Sequence, residues 1–122
     1  MEQALYQEQL MSKEHDPFYD SKRWRKLRSQ ILQRDGYVCQ LSKRRSLFPK
    51  PAEIVHHIFP RENFPEFEWE PWNLISLSRS MHNELHDRTT KELTDDGMDL
   101  LKRTARKRGM DMREIEKRLG ST

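Results

Sequence analysis

The sequence predicts a small α+β domain in which a strand, a loop, a second strand and a helix follow in order, with a basic helix before this ββα unit and two helices after it. Three observations carry the prediction. Residues 54–58 (IVHHI) form a β-branched run that stops just before Pro60, and residues 74–77 (LISL) form a second short run, as strands do. Trp24, Leu27, Ile31 and Leu32 recur at helical spacing, so residues 21–34 form an amphipathic helix. Residues 80–88 continue as a helix after Ser78 or Ser80.

Each element has a local reason. Asp20 or Ser21 can cap the first helix, and Gly36 suits the left-handed position beyond its end. Residues 37–39 start a short strand, and residues 42–52 read as a basic loop. Residues 61–73 form an acidic, aromatic loop punctuated by prolines. Thr94 caps a later helix whose acids come early and whose bases come late, as the helix dipole favours. Gly109 closes it, and Asp111 with Glu114 can box the start of a last helix reaching Leu119. Met98, Leu101 and Ala105 give the first tail helix a thin apolar stripe, so weak docking is expected. The chain thus divides into a polar arm over residues 1–17, a central domain over 18–90 with its ββα core at about 53–88, and a basic helical tail over 91–122.

Composition narrows the class. The 122 residues are 34% apolar and 35% charged, and the mean hydropathy is −1.07. No apolar run approaches the roughly 20 residues of a membrane span, and no signal-peptide core follows Met1, so a cytoplasmic chain without membrane partners is expected. The one cysteine, Cys39, excludes an internal disulfide. A core this lean favours a staple, and a metal ion is one candidate. The net charge of +3 hides segregation: residues 21–50 carry ten Lys/Arg and one acid, residues 51–100 carry four Lys/Arg and eleven acids, and residues 101–122 carry eight Lys/Arg and three acids. Basic blocks of this kind fit a polyanion, but the acidic middle would repel one unless it holds a cation.

Four of the five histidines, His56, His57, His82 and His86, fall on the predicted ββα unit; His15 stands apart. His82 and His86 are four apart and share a face if both are helical. His56 and His57 are neighbours on a strand, where successive side chains point to opposite faces. They cannot readily serve one ion together, so one is free for another task. A metal held by three imidazoles beside an uncommitted fourth points to metal-assisted hydrolysis.

The run His56-His57-Ile58-Phe59-Pro60, then Asn73-Leu74, then His82-Asn83 and His86 resembles the HNH (ββα-metal) endonuclease family, in the histidine-rich form of colicin-type DNases. Residues 18–40 resemble the leader helix of small phage-type HNH proteins, and the likeness covers roughly residues 18–90. The resemblance implies DNA phosphodiester hydrolysis with one divalent metal. It makes His57 the general base, has Asn73 steady the loop and orient that base, and makes His56, His82 and His86 the metal ligands. It also implies a bacterial host cytoplasm and partners among phage terminase or other packaging proteins. Many such relatives hold a second, structural zinc on two CxxC pairs. Those positions read Cys39, Ser42, Ser78 and Met81 here, so no structural zinc held by four cysteines is expected, and Trp69, Trp72, Phe64, Phe67 and Met81 brace the hairpin instead.

All-imidazole ligation suits Zn, Ni, Co or Mn better than Mg. Glu53, Glu84 and Asp87 are candidates to orient the imidazoles. Lys22, Arg23, Arg25, Lys26, Arg28, Arg79 and Arg88, with Lys43, Arg44 and Arg45, are candidates to meet DNA phosphates. Two other readings use the same residues. One is a non-catalytic DNA-binding module whose structural metal takes His57 as a fourth ligand; the other is a helical adaptor whose histidines are incidental.

Overall fold

A computed structural model describes residues 16–120, so His15 and nearly all of the expected arm lie outside the described residues. Helix α1 spans Lys22–Arg34, and the Ser21 side chain accepts the Trp24 N–H at its start. It ends through Gly36 at φ +64° and Tyr37 at φ +60°. The expected stripe is its inner face: Trp24, Ile31 and Leu32 are buried and Leu27 is half-buried.

The next segment differs from expectation. Residues 40–45 form a short helix, α2 (Gln40–Arg45), where a loop and a preceding strand were expected. Cys39 and Leu41 are drawn into the core, and polar groups around them find partners only if the chain turns. Gln40 donates through Nε2 to the carbonyls of Asp35 and Val38, and the Ser42 hydroxyl accepts the Lys50 N–H. The expected strand shrinks to one bridge, Val38 with Pro51.

Strands β1 (Ile54–His57) and β2 (Leu74–Leu77) pair antiparallel, with Ile54 opposite Leu77, Val55 opposite Ser76, His56 opposite Ile75 and His57 opposite Leu74. Alternation therefore gives the ribbon two faces. Val55, His57 and Leu74 face α1, where Val55 and Leu74 join Trp24, Ile31 and Leu32 in one apolar cluster. Ile75 and Leu77 join a larger cluster with Cys39, Leu41, Phe59, Phe64, Met81 and Leu85. Phe67 and Trp72 pack against that cluster, whereas Trp69 packs against the smaller one. Of the four positions at which the family resemblance implies cysteine, Cys39 and Met81 are buried in the larger core, while the buried Ser78 hydroxyl accepts the Met81 N–H.

Helix α3 (Arg79–Leu85) starts at the Ser78 cap and stops at Leu85, sooner than the sequence predicts. Helices α4 (Asp95–Lys107) and α5 (Met112–Arg118) follow, capped by Thr94 and Asp111. Their docking is closer than the thin stripe implies, because Gly97 and Leu100 widen it. Leu100, Leu101, Ala105 and Ile115 all sit in the larger core cluster.

Thr94 ties the two halves together. Its N–H donates to the Leu85 carbonyl at 2.9 Å and its hydroxyl to the Glu84 carbonyl at 2.6 Å, satisfying carbonyls that the end of α3 leaves open. This approach requires glycine at 97, where a Cβ would lie 2.4 Å from the Leu85 carbonyl oxygen. Glycine to alanine inside a helix ordinarily gains about 1 kcal/mol. Here the collision with backbone reverses the sign, since overpacking costs about 1–3 kcal/mol. Gly97→Ala is expected to lower the melting temperature, and thermal denaturation checks it; an unchanged or higher value would mean that α4 yields.

Candidate metal centre

His56 leaves β1 on the face that carries the larger core, His82 lies on α3, and His86 follows directly after that helix. One nitrogen from each of the three rings lies within 4.8 Å of the others. The ring centroids are 5.1–5.3 Å apart. His82 and His86 do not share a helix face as the spacing predicts. His86 is extended, at φ −125° and ψ 141°, and pairs with Leu93 in an isolated bridge.

A tight loop after His86 sets its ring. The Asp87 carboxylate accepts the N–H groups of Thr89 and Thr90, and the Asp87 N–H donates to the Glu92 carbonyl. Lys91 takes φ +66°, and its carbonyl lies 3.2 Å from His86 Nδ1. With Nδ1–H donated there, Nε2 carries the lone pair and points towards His56 Nδ1, 3.4 Å away.

The residues fit a transition-metal ion. His56 is 2% exposed, and its Nε2 is buried with no hydrogen-bond partner among the described residues. A native interior seldom leaves such an atom unpaired. Burial, reinforced by neighbouring histidines, holds the His56 pKa well below the usual histidine value. Burial also lowers His86, and it pushes His82 down to about 4. All three rings are therefore neutral near pH 7, the state in which imidazole binds metal.

His57 stands outside this group, on the opposite face of the ribbon. Its ring stacks on Trp24 at 5.2 Å, with Phe18 and Tyr19 edge-on at 5.7 and 6.1 Å. His57 Nε2 lies 3.0 Å from the Glu68 carbonyl. Donation there leaves the lone pair on Nδ1. Burial pushes its pKa down to about 4. Arg61 lies over the Phe18 ring and pairs with Glu68 at 3.1 Å and with Asp16.

Asn73 is fully buried between the strands and the acidic loop. Its Oδ1 accepts the Phe59 N–H at 2.7 Å, and its Nδ2 donates to the carbonyls of Phe59 and Phe67. The second of these carbonyls immediately precedes Glu68, whose own carbonyl meets His57. Asn73 thus fixes the backbone that holds the His57 ring.

Other expected contacts are spent elsewhere. Glu53 pairs with Arg79, Glu84 with Arg45, and Asp87 serves its own loop; the carbonyls of Glu68 and Lys91 take the place expected of these carboxylates. Lys22, Arg23, Arg25, Lys26 and Arg88 are exposed, as are Lys43, Arg44 and Arg45. Arg23 lies over the Trp69 ring, and Arg28 is half-buried and donates to the Glu53 carbonyl. Sequence reasoning missed the aromatic wall of Phe18 and Tyr19, the Arg61 bridge and the Lys91 carbonyl. Only the adjacent Phe18-Tyr19 pair left any signal.

No protein-family model matches the chain, and no curated protein does. Among solved structures the chain is similar to the HNH endonuclease of the deep-sea thermophilic bacteriophage GVE2, crystallised with a manganese ion. The two are 33% identical, the match covers 54% of this chain and 71% of that one, and the TM-score is 0.51. That identity over that share of the relative, on a ββα unit that gathers three of its histidines at one point and holds the fourth apart, places the chain in the HNH endonuclease family.

Proposed function

We propose that the protein is a metal-dependent endonuclease that hydrolyses DNA phosphodiester bonds, with His57 as general base. The observation that carries the reading is the division of labour between adjacent residues. His56 joins the imidazole cluster, while His57 is kept neutral by burial on the other face and oriented there by a backbone carbonyl. A base must be neutral to accept a proton, and His57 qualifies near pH 7.

In this reading His57 takes the proton of the attacking water at Nδ1. The hydroxyl adds to phosphorus, the P–O3′ bond breaks, and the departing 3′-oxygen takes a proton from solvent water, leaving a 5′-phosphate and a 3′-hydroxyl; the His57 proton then returns to solvent. His56, His82 and His86 would hold a divalent ion, which would supply Lewis-acid stabilisation of the charge that develops in the reaction. Asn73 acts as a positioning residue through the Phe67–Glu68 backbone. Lys22, Arg23, Arg25, Lys26, Arg28, Arg79 and Arg88 meet phosphates and confer little sequence preference. Three imidazoles leave coordination positions for oxygen ligands, which supports catalysis over a closed structural site. The manganese in the relative supports a divalent ion of the Zn, Mn, Ni or Mg set, and the relative's phage origin supports a phage setting, in which terminase or other packaging proteins are the partners the family resemblance implies.

The direct test is incubation of supercoiled plasmid with the protein and Mn, Ni, Zn or Mg, beside an EDTA control. Relaxed or linear product with at least one ion and none with EDTA is expected; intact plasmid under every condition would refute the activity.

Three outcomes follow for variants and conditions. His57→Gln is expected to reduce cleavage by about 10²–10⁴, the usual yield of a general base. It should retain the metal, as read by calorimetric titration; loss of metal would make His57 a ligand. A metal at about 100-fold above its Kd adds about 2.7 kcal/mol, or roughly 10–20 °C in a domain of this size. EDTA is therefore expected to lower the wild-type melting temperature and to leave His86→Ala, already weakened in binding, nearly unmoved.

The metal-free protein is expected to lose stability in acid. Unfolded histidines protonate near pH 6.5, whereas folded His57 and His82 do so near 4. Between these values the unfolded state binds more protons, so stability falls as the pH drops from about 6.5 towards 4 and is complete above that window. Urea midpoints measured across this range in EDTA check it; a flat profile would contradict it.

A further inference from the structure

We propose that Leu47 and Phe48 form an apolar wedge that inserts between base pairs of duplex DNA beside the metal centre. The inference takes its partner from the endonuclease reading, but its test does not depend on cleavage.

The two side chains are 93% and 87% exposed, far more than any other large apolar residue among those described. Single exposed apolar residues are ordinary on protein surfaces. An adjacent leucine and phenylalanine at a loop tip, in a chain only 34% apolar, is a different matter, because the core has few such residues to spare.

The tip is held rather than loose. Below it the Ser42 hydroxyl accepts the Lys50 N–H at 2.9 Å, and the Cys39 N–H donates to the Lys50 carbonyl at 2.9 Å. Val38 bridges to Pro51. At the tip itself the Ser46 hydroxyl accepts the Phe48 N–H at 3.0 Å, and Pro49 restricts the chain beyond. With the backbone anchored in this way, the loop has little main-chain freedom left to lose when the two side chains are buried.

Charge selects the partner. Lys43, Arg44 and Arg45 precede the tip and Lys50 follows it, and no acid lies between Asp35 and Glu53. Cations flanking an apolar tip match phosphates flanking stacked bases. Proteins that bend DNA use this combination, in which Phe, Leu or similar side chains part a base step.

Position favours DNA over an anionic membrane. The loop is tied to the helix that carries His82: Lys50 Nζ donates to the Ser80 hydroxyl at 3.1 Å, and Arg45 pairs with Glu84 at 3.9 Å. Between loop and helix lies an open cavity of about 410 Å³, lined by Lys50, Arg79 and Asn83 among others. Glu53 also lines it and pairs with Arg79, so a strand passing from the wedge to the imidazole cluster would run along a polar floor with Lys50 and Arg79 as its cations. Opening a base step at the wedge would bend the duplex and bring its backbone against α3.

The test uses the full chain in EDTA with duplex DNA carrying aminopurine, whose fluorescence rises when it is unstacked. Wild type is expected to raise the fluorescence on binding. The double variant Leu47→Ser, Phe48→Ser is expected to lose that rise and to bind about tenfold more weakly, in line with the worth of apolar and aromatic contacts to bases. Its salt dependence should match wild type, because every cation is retained. Both substitutions lie at exposed positions, so melting temperature and metal content should be those of wild type. Wild-type affinity and fluorescence in the double variant would overturn the proposal. So would loss of binding to phosphatidylserine vesicles with DNA binding intact, since the tip would then address a lipid surface. A wild type that cuts no plasmid with any ion would refute the nuclease reading and leave this measurement standing.

Discussion

A strand turns successive side chains to opposite faces, and in this protein that rule does more than build a sheet. His56 and His57 are consecutive on β1, so one is delivered to the α3 face and the other to the α1 face. Two imidazoles joined by one peptide bond are thereby given unlike surroundings. The first meets two other imidazoles. The second meets an indole ring and a backbone carbonyl. A register slip of one residue would exchange them. Register is accordingly held on both faces, by Val55 and Leu74 under α1 and by Ile75 and Leu77 in the larger core.

The forces that hold this arrangement are mostly apolar and backbone in character. The exposed ion pairs, such as Arg79 with Glu53 at 3.8 Å and Arg45 with Glu84 at 3.9 Å, each contribute about 0–1 kcal/mol. A buried aromatic such as Trp24 or Phe59 contributes several times that, since truncating one costs about 3–5 kcal/mol. The tail helices take part in the same packing. They supply Leu101 and Ala105, both fully buried, and they cap the end of the helix that carries His82. Cys39 and Met81 lie in the same core and contribute to it by packing.

Much of the fold was legible because it rests on local rules. The α1 stripe, the two strands, the Ser78 or Ser80 start of α3 and the Thr94 cap all follow from spacing and capping chemistry. Helix α2 was not legible, because Gln40 to Arg45 carries no helical stripe; only the burial of Cys39 and Leu41 makes the chain turn there. The early stop of α3 was hidden for a similar reason. Nothing before Asp87 signals an end, and the helix closes because Thr94, distant in sequence, takes its last carbonyls. For the site, the four histidines and Asn73 could be picked out by type and spacing. The Trp24 ring under His57 and the bridge made by Arg61 depend on contacts across the fold.

Both histidines whose tautomers the structure defines are set by main-chain oxygens, one from Glu68 and one from Lys91. A carbonyl is the same chemical group whatever side chain stands beside it. The work these two positions do for the imidazoles is therefore main-chain work, and it outlasts a change of side chain provided the loop path survives and the left-handed turn at 91 is accommodated, although the Glu68 carboxylate has a separate partner in Arg61. Asparagine and glycine adopt that turn most readily, and a β-branched residue would resist it. A side-chain substitution leaves the two carbonyls in place, whereas insertions or deletions in residues 65–70 or 87–92 would disarm an imidazole without touching it.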